Sequence, residues 1–299
     1  MELSQVVGNQ ISMTNIHLQR LESQRSTLLK TKKALIITSV ILIVPAYLFS
    51  AQNSFAYIIF ILAVPISTLM WFGYKSSFNN FRKTFKITVI QSIIKQFFPY
   101  IIYYPEQVIA RSIFDQSRIF PSDYTEFKGE DLLVSSIYGN LQMSEVSVRR
   151  IQKNKNDKTI ITNYITGLFG VATFPFRFAG TTVVYPKGFL HKAFGGQKVI
   201  LESPNFMEIF DIVTTNQIEA RLALGTDIMN NILYLHDELK TKVWLSFVDN
   251  QVFFGIEDLK FLEPDLNVTV TNQTAINNFK KELEIINNLI QTFKLHQNK

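Results

Sequence analysis

The sequence predicts an α+β protein in which an N-terminal two-helix transmembrane hairpin precedes a cytosolic domain with a mostly antiparallel sheet and packed helices. Residues 34–74 are forty-one consecutive positions without Asp, Glu, Lys or Arg. Beyond about Asp131 the apolar pattern shortens to strand-length runs rich in Val, Ile, Thr and aromatics. Basic residues crowd both flanks of the uncharged stretch, while the rest of the chain is nearly balanced.

Composition agrees with this division. Hydrophobic residues make up 47% and charged residues 18% of the 299 positions, a shortage of charge against the usual ~25% that points to a partly membrane-embedded chain and away from disorder. Cysteine is absent, which excludes disulfides, thiolate catalysis and Cys-type metal centres.

In chain order, residues 1–33 read as an N-terminal cytoplasmic arm with a weak helical stripe of Ile11, Leu18, Leu21 and Leu28. An amphipathic helix leading into the membrane and a loosely paired solvated arm both fit. The polar break Ala51-Gln52-Asn53-Ser54 divides the uncharged stretch into apolar blocks 34–50 and 55–72. At ~1.5 Å per residue each reaches about 26 Å, close to the hydrocarbon thickness of a bilayer. Pro45 and Pro65 are compatible with spans if nearby hydroxyls, with Thr38, Ser39 and Ser67 at hand, take up the freed carbonyls. The thirty-three residues before the first block exceed a signal-peptide n-region, so the block is expected to stay in the mature chain.

Lys30, Lys32 and Lys33 precede the first block, Lys75, Arg82, Lys83 and Lys86 follow the second, and the connecting loop carries no charge. By the positive-inside rule both ends and the main domain are cytoplasmic, with these seven residues as lipid-headgroup candidates. Residues 1–33 hold five basic and two acidic groups, 75–98 five basic and no acidic ones, and 99–299 twenty basic and twenty-two acidic. The pI near 9.3 therefore belongs to the flanks, favouring membrane lipids as partners and arguing against nucleic acid.

Residues 75–98 predict a juxtamembrane basic amphipathic helix, since Phe78, Phe81, Phe85 and Val89 recur at helical spacing and Pro99 marks its end. That stripe can face lipid or pack on the following domain. Within 99–299, strands are predicted at 131–138, 141–150, 159–174, 181–185 and 198–202. A hairpin joins residues 243–248 to 251–256 through Asp249-Asn250, because Asp and Asn tolerate left-handed turns. Helices are predicted from Gln217 to Leu224, stopped by Gly225, and onward from a cap at Thr226 or Asp227. Ile276, Phe279, Leu283, Ile286, Ile290 and Phe293 form a terminal a/d seam, suited to lying over the sheet or to pairing with a partner helix.

From about Phe85 onward the motif order resembles the bacterial family grouped as domain of unknown function 3137. The resemblance is carried by Ser117-Arg118-Ile119-Phe120, Gly129-Glu130-Asp131, Ser144-Glu145-Val146, Gly167-Leu168-Phe169 and Gly180-Thr181-Thr182-Val183-Val184. It continues through Leu201-Glu202-Ser203-Pro204-Asn205-Phe206, Gln217, Glu219-Ala220-Arg221, Ser246-Phe247-Val248-Asp249 and Phe261-Leu262-Glu263-Pro264. The Ser135-Ser136 pair stands where the resemblance implies a glycine. What the resemblance implies is architecture, a two-span hairpin before the domain, and no catalytic residues.

No residue set names a reaction. The histidines His17, His191, His236 and His296 lack ligand spacing, and no GxxxxGK[ST], GxGxxG or GxSxG motif occurs, so neither a metal nor a cofactor is expected. Glu130, Asp131, Glu202, Asp211, Glu219 and Arg221 are the polar-site candidates nearest apolar motifs. Structural roles explain them better than a shared site does: turn formation for Glu130-Asp131, a helix-start interaction for Glu202 before Ser203-Pro204, and ion pairing for Glu219 and Arg221. Three functions stay open: a membrane protein presenting a cytosolic binding or scaffolding domain at the inner leaflet, a membrane-anchored enzyme with a carboxylate-based site, and a self-assembling structural component. Partners would be lipids and, in the first and third cases, another membrane protein or further copies of the chain.

Overall fold

The computed structural model describes residues 2–50, 54–174, 176–259, 262–270 and 273–293; the side chains of 2–16, 46, 49–50, 54–57, 59–60, 273–278 and 280–281 lie outside the description. The chain divides into two compact units, 1–92 with 263–280, and 93–262 with 281–299.

The first unit is built on helices α1 (Glu2–Ser50) and α2 (Ser54–Phe85), which pack on each other. Their contact uses small or well-buried side chains, Leu35, Ala63 and Ser67, and the Trp71 indole donates to Ser39 Oγ at 3.2 Å. Small residues let helix backbones approach closely where a larger residue would hold them apart. The N-terminal stripe is amphipathic: Leu21 and Leu28 are buried, while the Ile11 side chain lies outside the described residues. Pro45 and Pro65 sit inside their helices. The hydroxyls expected to serve them do otherwise: Thr38 bonds Ala34 O, Ser67 bonds Val64 O, and Ser39 accepts from Trp71. The Thr38 and Ser67 bonds are local back-bonds of i−4 and i−3 type, and the Ser39 bond joins the two helices, so none of the three caps a proline-freed carbonyl.

After α2 the backbone passes through one π-helical turn (Lys86–Ile90) into α3 (Gln91–Phe97), ending just before Pro99 as its sequence demands. Phe81, Phe85 and Val89 are buried, so this stripe faces protein. In the first unit Phe85 meets Phe279 with ring centroids 5.6 Å apart.

The second unit is α+β. Its strands are β1 (Ile102–Tyr104), β2 (Glu126–Val134), β3 (Gln142–Lys153), β4 (Thr159–Thr173), β5 (Thr181–Pro186), β6 (Gln197–Val199), β7 (Phe210–Thr214), β8 (Val243–Val248) and β9 (Gln251–Glu257). They form one sheet in the order β1-β2-β3-β4-β9-β8-β5-β7-β6, and every pairing is antiparallel. Helices α4 (Arg111–Gln116), α5 (Pro204–Ile209), α6 (Gln217–Ala223) and α7 (Thr226–Leu239) belong to this unit, as does the part of α8 (Gln273–Thr292) from residue 281 onward.

The middle strands are covered on both faces, which is why β8 and β9 read as mostly apolar runs with little alternation. On one face Phe114, Phe120, Phe169 and Trp244 make an aromatic core, with Phe114 and Phe120 stacked at 5.5 Å and Phe120 edge-on to Trp244 at 5.3 Å. On the other, Phe254 stacks on Phe293 at 6.3 Å. Leu283, Ile286, Ile290 and Phe293 are all buried, so the terminal seam is spent inside the chain.

The predicted hairpin is present, with Asp249 at φ 52° and Val248 opposite Gln251. Strand β2 starts earlier than predicted and stops at Val134, because Ser135 N–H turns to Leu141 O and Gly139 and Asn140 take left-handed conformations. Strand β6 is shorter than 198–202, and β1 and β7 went unpredicted. Helix α7 is capped at Gly225, not at Thr226 or Asp227, which are its first two residues.

The glycine of the Gly-Glu-Asp motif has a steric reason: a Cβ at Gly129 would lie 2.1 Å from Glu145 O and 2.5 Å from Val108 Cγ2. Gly129→Ala should therefore cost about 2 kcal/mol or more. Gly73→Ala, on a helix position with nothing within 4 Å, should be neutral to slightly stabilising. Thermal melting of the two variants under identical conditions checks the contrast.

Candidate functional site

The strongest surface feature lies on the first unit. Among the described residues sixteen large apolar side chains stand exposed along α1 and α2: Ile36, Ile37, Val40, Ile41, Leu42, Val44, Tyr47 and Leu48 on one helix, and Ile58, Ile61, Leu62, Val64, Ile66, Leu69, Met70 and Phe72 on the other. Leu69 and Phe72 are each 73% exposed. At ~1.5 Å per residue the belt runs about 20 Å along the helices. Monomeric soluble proteins rarely show apolar patches of this extent. Among the described residues no helix is long and apolar enough to cross a membrane; the loop 51–53 and several side chains of both blocks lie outside those residues.

Beyond the belt, the same unit carries a polar clamp. Arg82 Nε donates to Glu263 Oε2 at 2.5 Å, and the Lys86 ammonium, with its side chain 3% exposed, lies 2.6 Å from Glu263 Oε1. Lys86 is set here as the first residue of the π turn, a distortion that commonly marks special positions. On α1, Glu22 pairs with Arg25 at 2.5 Å and accepts Val270 N–H at 2.8 Å, while Arg25 donates to Leu266 O. The segment 263–270 is thus held by two helices through charge-assisted hydrogen bonds. Arg25 keeps the Glu22 carboxyl below its ordinary value, and the Val270 N–H adds to this against the opposing cost of burial.

This geometry divides the seven headgroup candidates. Lys30, Lys32, Lys33, Lys75 and Lys83 are exposed. Arg82 and Lys86 instead engage Glu263, which the sequence offered only as part of a motif. The signal was present in the Phe-Leu-Glu-Pro motif, but its partner lies 181 positions away.

The second unit scatters the polar candidates. Glu130 lies opposite Glu145 in the β2–β3 register, and Asp131 is buried at a bulge with φ 62°, accepting from the Tyr103 hydroxyl. Glu219 accepts Ala179 N–H at 3.0 Å and Gly180 N–H at 2.8 Å, fixing the approach to β5. Arg221 bonds Gln217 O and reaches Ile200 O at 3.3 Å; with Gln217, which takes Lys198 O, it covers carbonyls beside the edge strand β6. Glu202 is exposed just before Ser203, the N-cap of α5. Asp211 sits within 3.4–3.6 Å of Lys187, Lys192 and Lys198. Partial burial pushes its carboxyl up, but Gly188 N–H and the lysines outweigh this and leave it below the ordinary value. The structure does not bring Glu130, Glu202 and Glu219 together as one site, since each serves a different local element.

Residues 163–295 match the family described as "Protein of unknown function (DUF3137)". The Ser117–Phe120, Gly129–Asp131 and Ser144–Val146 motifs lie upstream of the matched stretch. No curated protein matches the chain. Among solved structures, the crystal structure of the mycobacterial trehalose monomycolate transport factor A, TtfA, is similar at 10% identity over 69% of this chain and 93% of that one, with a TM-score of 0.36. A likeness at that level carries no assignment.

Loss of one clamp carboxylate should loosen the segment it holds. Glu22→Gln and Glu263→Gln, compared by hydrogen exchange of a peptide covering 262–270, should each speed amide exchange about tenfold, the equivalent of one charge-assisted bond at ~1.4 kcal/mol. Because the folded-state pKa of Glu22 is depressed, its contribution is present at neutral pH. It is lost only as pH falls through that lowered value.

Proposed function

We propose that this chain, whose residues 163–295 match the DUF3137 family, is a two-span membrane protein whose hairpin of α1 and α2 holds the α+β unit at the inner leaflet as a binding or scaffolding module. The observation that carries this reading is the exposed belt from Ile36 to Phe72. Fully burying a large apolar side chain is worth ~1.5–3 kcal/mol, so side chains left about half exposed forgo on the order of 1 kcal/mol each. Over sixteen of them the sum is roughly 15 kcal/mol, comparable to the entire stability of a domain. A bilayer removes that cost. The uncharged loop 51–54 and the exposed Lys30, Lys32, Lys33, Lys75 and Lys83 support an orientation with both ends inside.

The alternative readings lose their nominated parts. An enzyme built on Glu219, Arg221 or Asp131 would have to use groups already committed to backbone or to Tyr103. Self-assembly through the terminal seam would require unpacking Leu283, Ile286 and Phe293 from their own chain.

The absence of cysteine makes labelling clean. With an impermeant maleimide on intact cells, Asn53→Cys should react and Asn156→Cys, in the exposed β3–β4 turn, should react only after permeabilisation. Alkaline carbonate should leave the protein in the membrane pellet. Release by carbonate, or reaction of Asn156→Cys in intact cells, would contradict the reading.

A further inference from the structure

In the second unit, strands β3 and β4 run on past the rest of the sheet. β2 pairs with β3 only as far as Arg149, and β9 pairs with β4 only from Gly167 onward, so residues 150–153 and 159–162 form a ribbon bonded to itself. The ladder steps over Tyr164, since Val148 faces Ile165 and Arg149 faces Asn163, and such a bulge bends its strand away from the parent sheet. The outer edge of β3 is covered there: Thr125 donates its N–H to Arg149 O at 3.1 Å, and its Oγ1 accepts the Ile151 N–H at 2.8 Å. Both bonds point away from β4, so Arg149 and Ile151 stand in those pairs of the β3–β4 ladder that exchange no hydrogen bonds. Their partners Asn163 and Ile161 therefore aim N–H and C=O outward, and by alternation so does Thr159. Among the described residues no strand takes these groups. Folded proteins blunt a free edge with charge, proline or a cover. The stretch 159–163 reads Thr-Ile-Ile-Thr-Asn and has none of these, and Ile161 is 54% exposed. The two ends of the edge differ in charge. Exposed Asp258 stands at one, with its N–H on Thr166 O at 2.8 Å, and the ribbon tip at the other carries Lys153, Lys155 and Lys158 against Asp157.

We propose that this edge of β4 pairs with the same edge of a second copy of the chain, antiparallel about a two-fold axis at Ile161. The outward groups fall at 159, 161 and 163, a set symmetric about Ile161, so Thr159 of each copy meets Asn163 of the other and Ile161 meets Ile161. Ile151 lies opposite Ile161 within each ribbon. Pairing therefore lines up Ile151, Ile161, Ile161 and Ile151 on one face of a four-stranded sheet, apolar cross-strand contacts that a lone ribbon lacks. An isolated two-stranded ribbon is marginal in water, and added strands remove that weakness. The antiparallel sense also brings the basic tip of each copy toward the Asp258 end of the other, whereas parallel pairing would set tip against tip. The contact involves the second unit alone and is independent of where α1 and α2 lie.

The test uses the full chain, which has no cysteine of its own. Ile161→Cys lies on the axis, where directly opposed Cα atoms of a hydrogen-bonded antiparallel pair are ~5.5 Å apart and within disulfide reach. Mild oxidation in membranes should join Ile161→Cys chains into dimers and leave Asn156→Cys, in the turn and off the axis, as monomers. Chains carrying Thr159→Cys and Asn163→Cys should join each other when co-expressed and not themselves when expressed singly. In detergent, Ile161→Lys sets like charges on the axis and should raise the dimer dissociation constant about tenfold or more. Unchanged hydrogen exchange in β8 and β9 shows that this variant is folded. No crosslink at Ile161→Cys, equal crosslinking at Asn156→Cys, or a dimer that Ile161→Lys leaves intact would overturn the proposal.

Discussion

Everything in the first unit is organised around apolar side chains that its own fold leaves uncovered. Helices α1 and α2 bury Leu35, Ala63 and Ser67 against each other but turn Ile37, Ile41, Leu69 and Phe72 outward. A two-helix pair has too little interior to do otherwise, because each helix can hide only the stripe that faces its neighbour. Below the belt the same helices change character. Leu21, Leu28, Phe81 and Phe85 become buried, and charged side chains appear between them as Glu22, Arg25, Arg82 and Lys86. Packing takes over where the apolar belt ends.

The change is made with few polar contacts, each of high value. Glu263 collects Arg82 and Lys86, and Glu22 with Arg25 holds the backbone near Leu266 and Val270. Desolvating Lys86 is costly unless a carboxylate meets it, which makes Glu263 a structural requirement rather than an ornament of a loop. In the second unit the comparable task falls to backbone geometry: left-handed Asp131 and Asp249, and the close approach that only Gly129 permits.

The elements legible in the sequence were those whose signal is local. The uncharged blocks became helices, the apolar runs at 243–248 and 251–257 became paired strands, and the periodic terminal segment became α8. Strand β7 escaped notice because Phe210–Thr214 is five residues long and follows directly on the short helix α5, so no period could develop. The polar candidates were harder still. Glu219 and Arg221 stand three and five residues beyond the α6 cap Asn216, yet their partners are Gly180 and Ile200.

The central claim is that the belt from Ile36 to Phe72 lies in hydrocarbon. Nitroxides placed one at a time at Ile37, Ile41, Leu48, Ile61, Leu69 and Phe72 in bilayer-reconstituted protein report access to oxygen, which concentrates in lipid, and to a nickel chelate, which stays in water. The account predicts high oxygen and low chelate access at every one of these positions, with chelate access rising by Lys75. Chelate access as high at Ile41 and Ile61 as at Lys75 would contradict it.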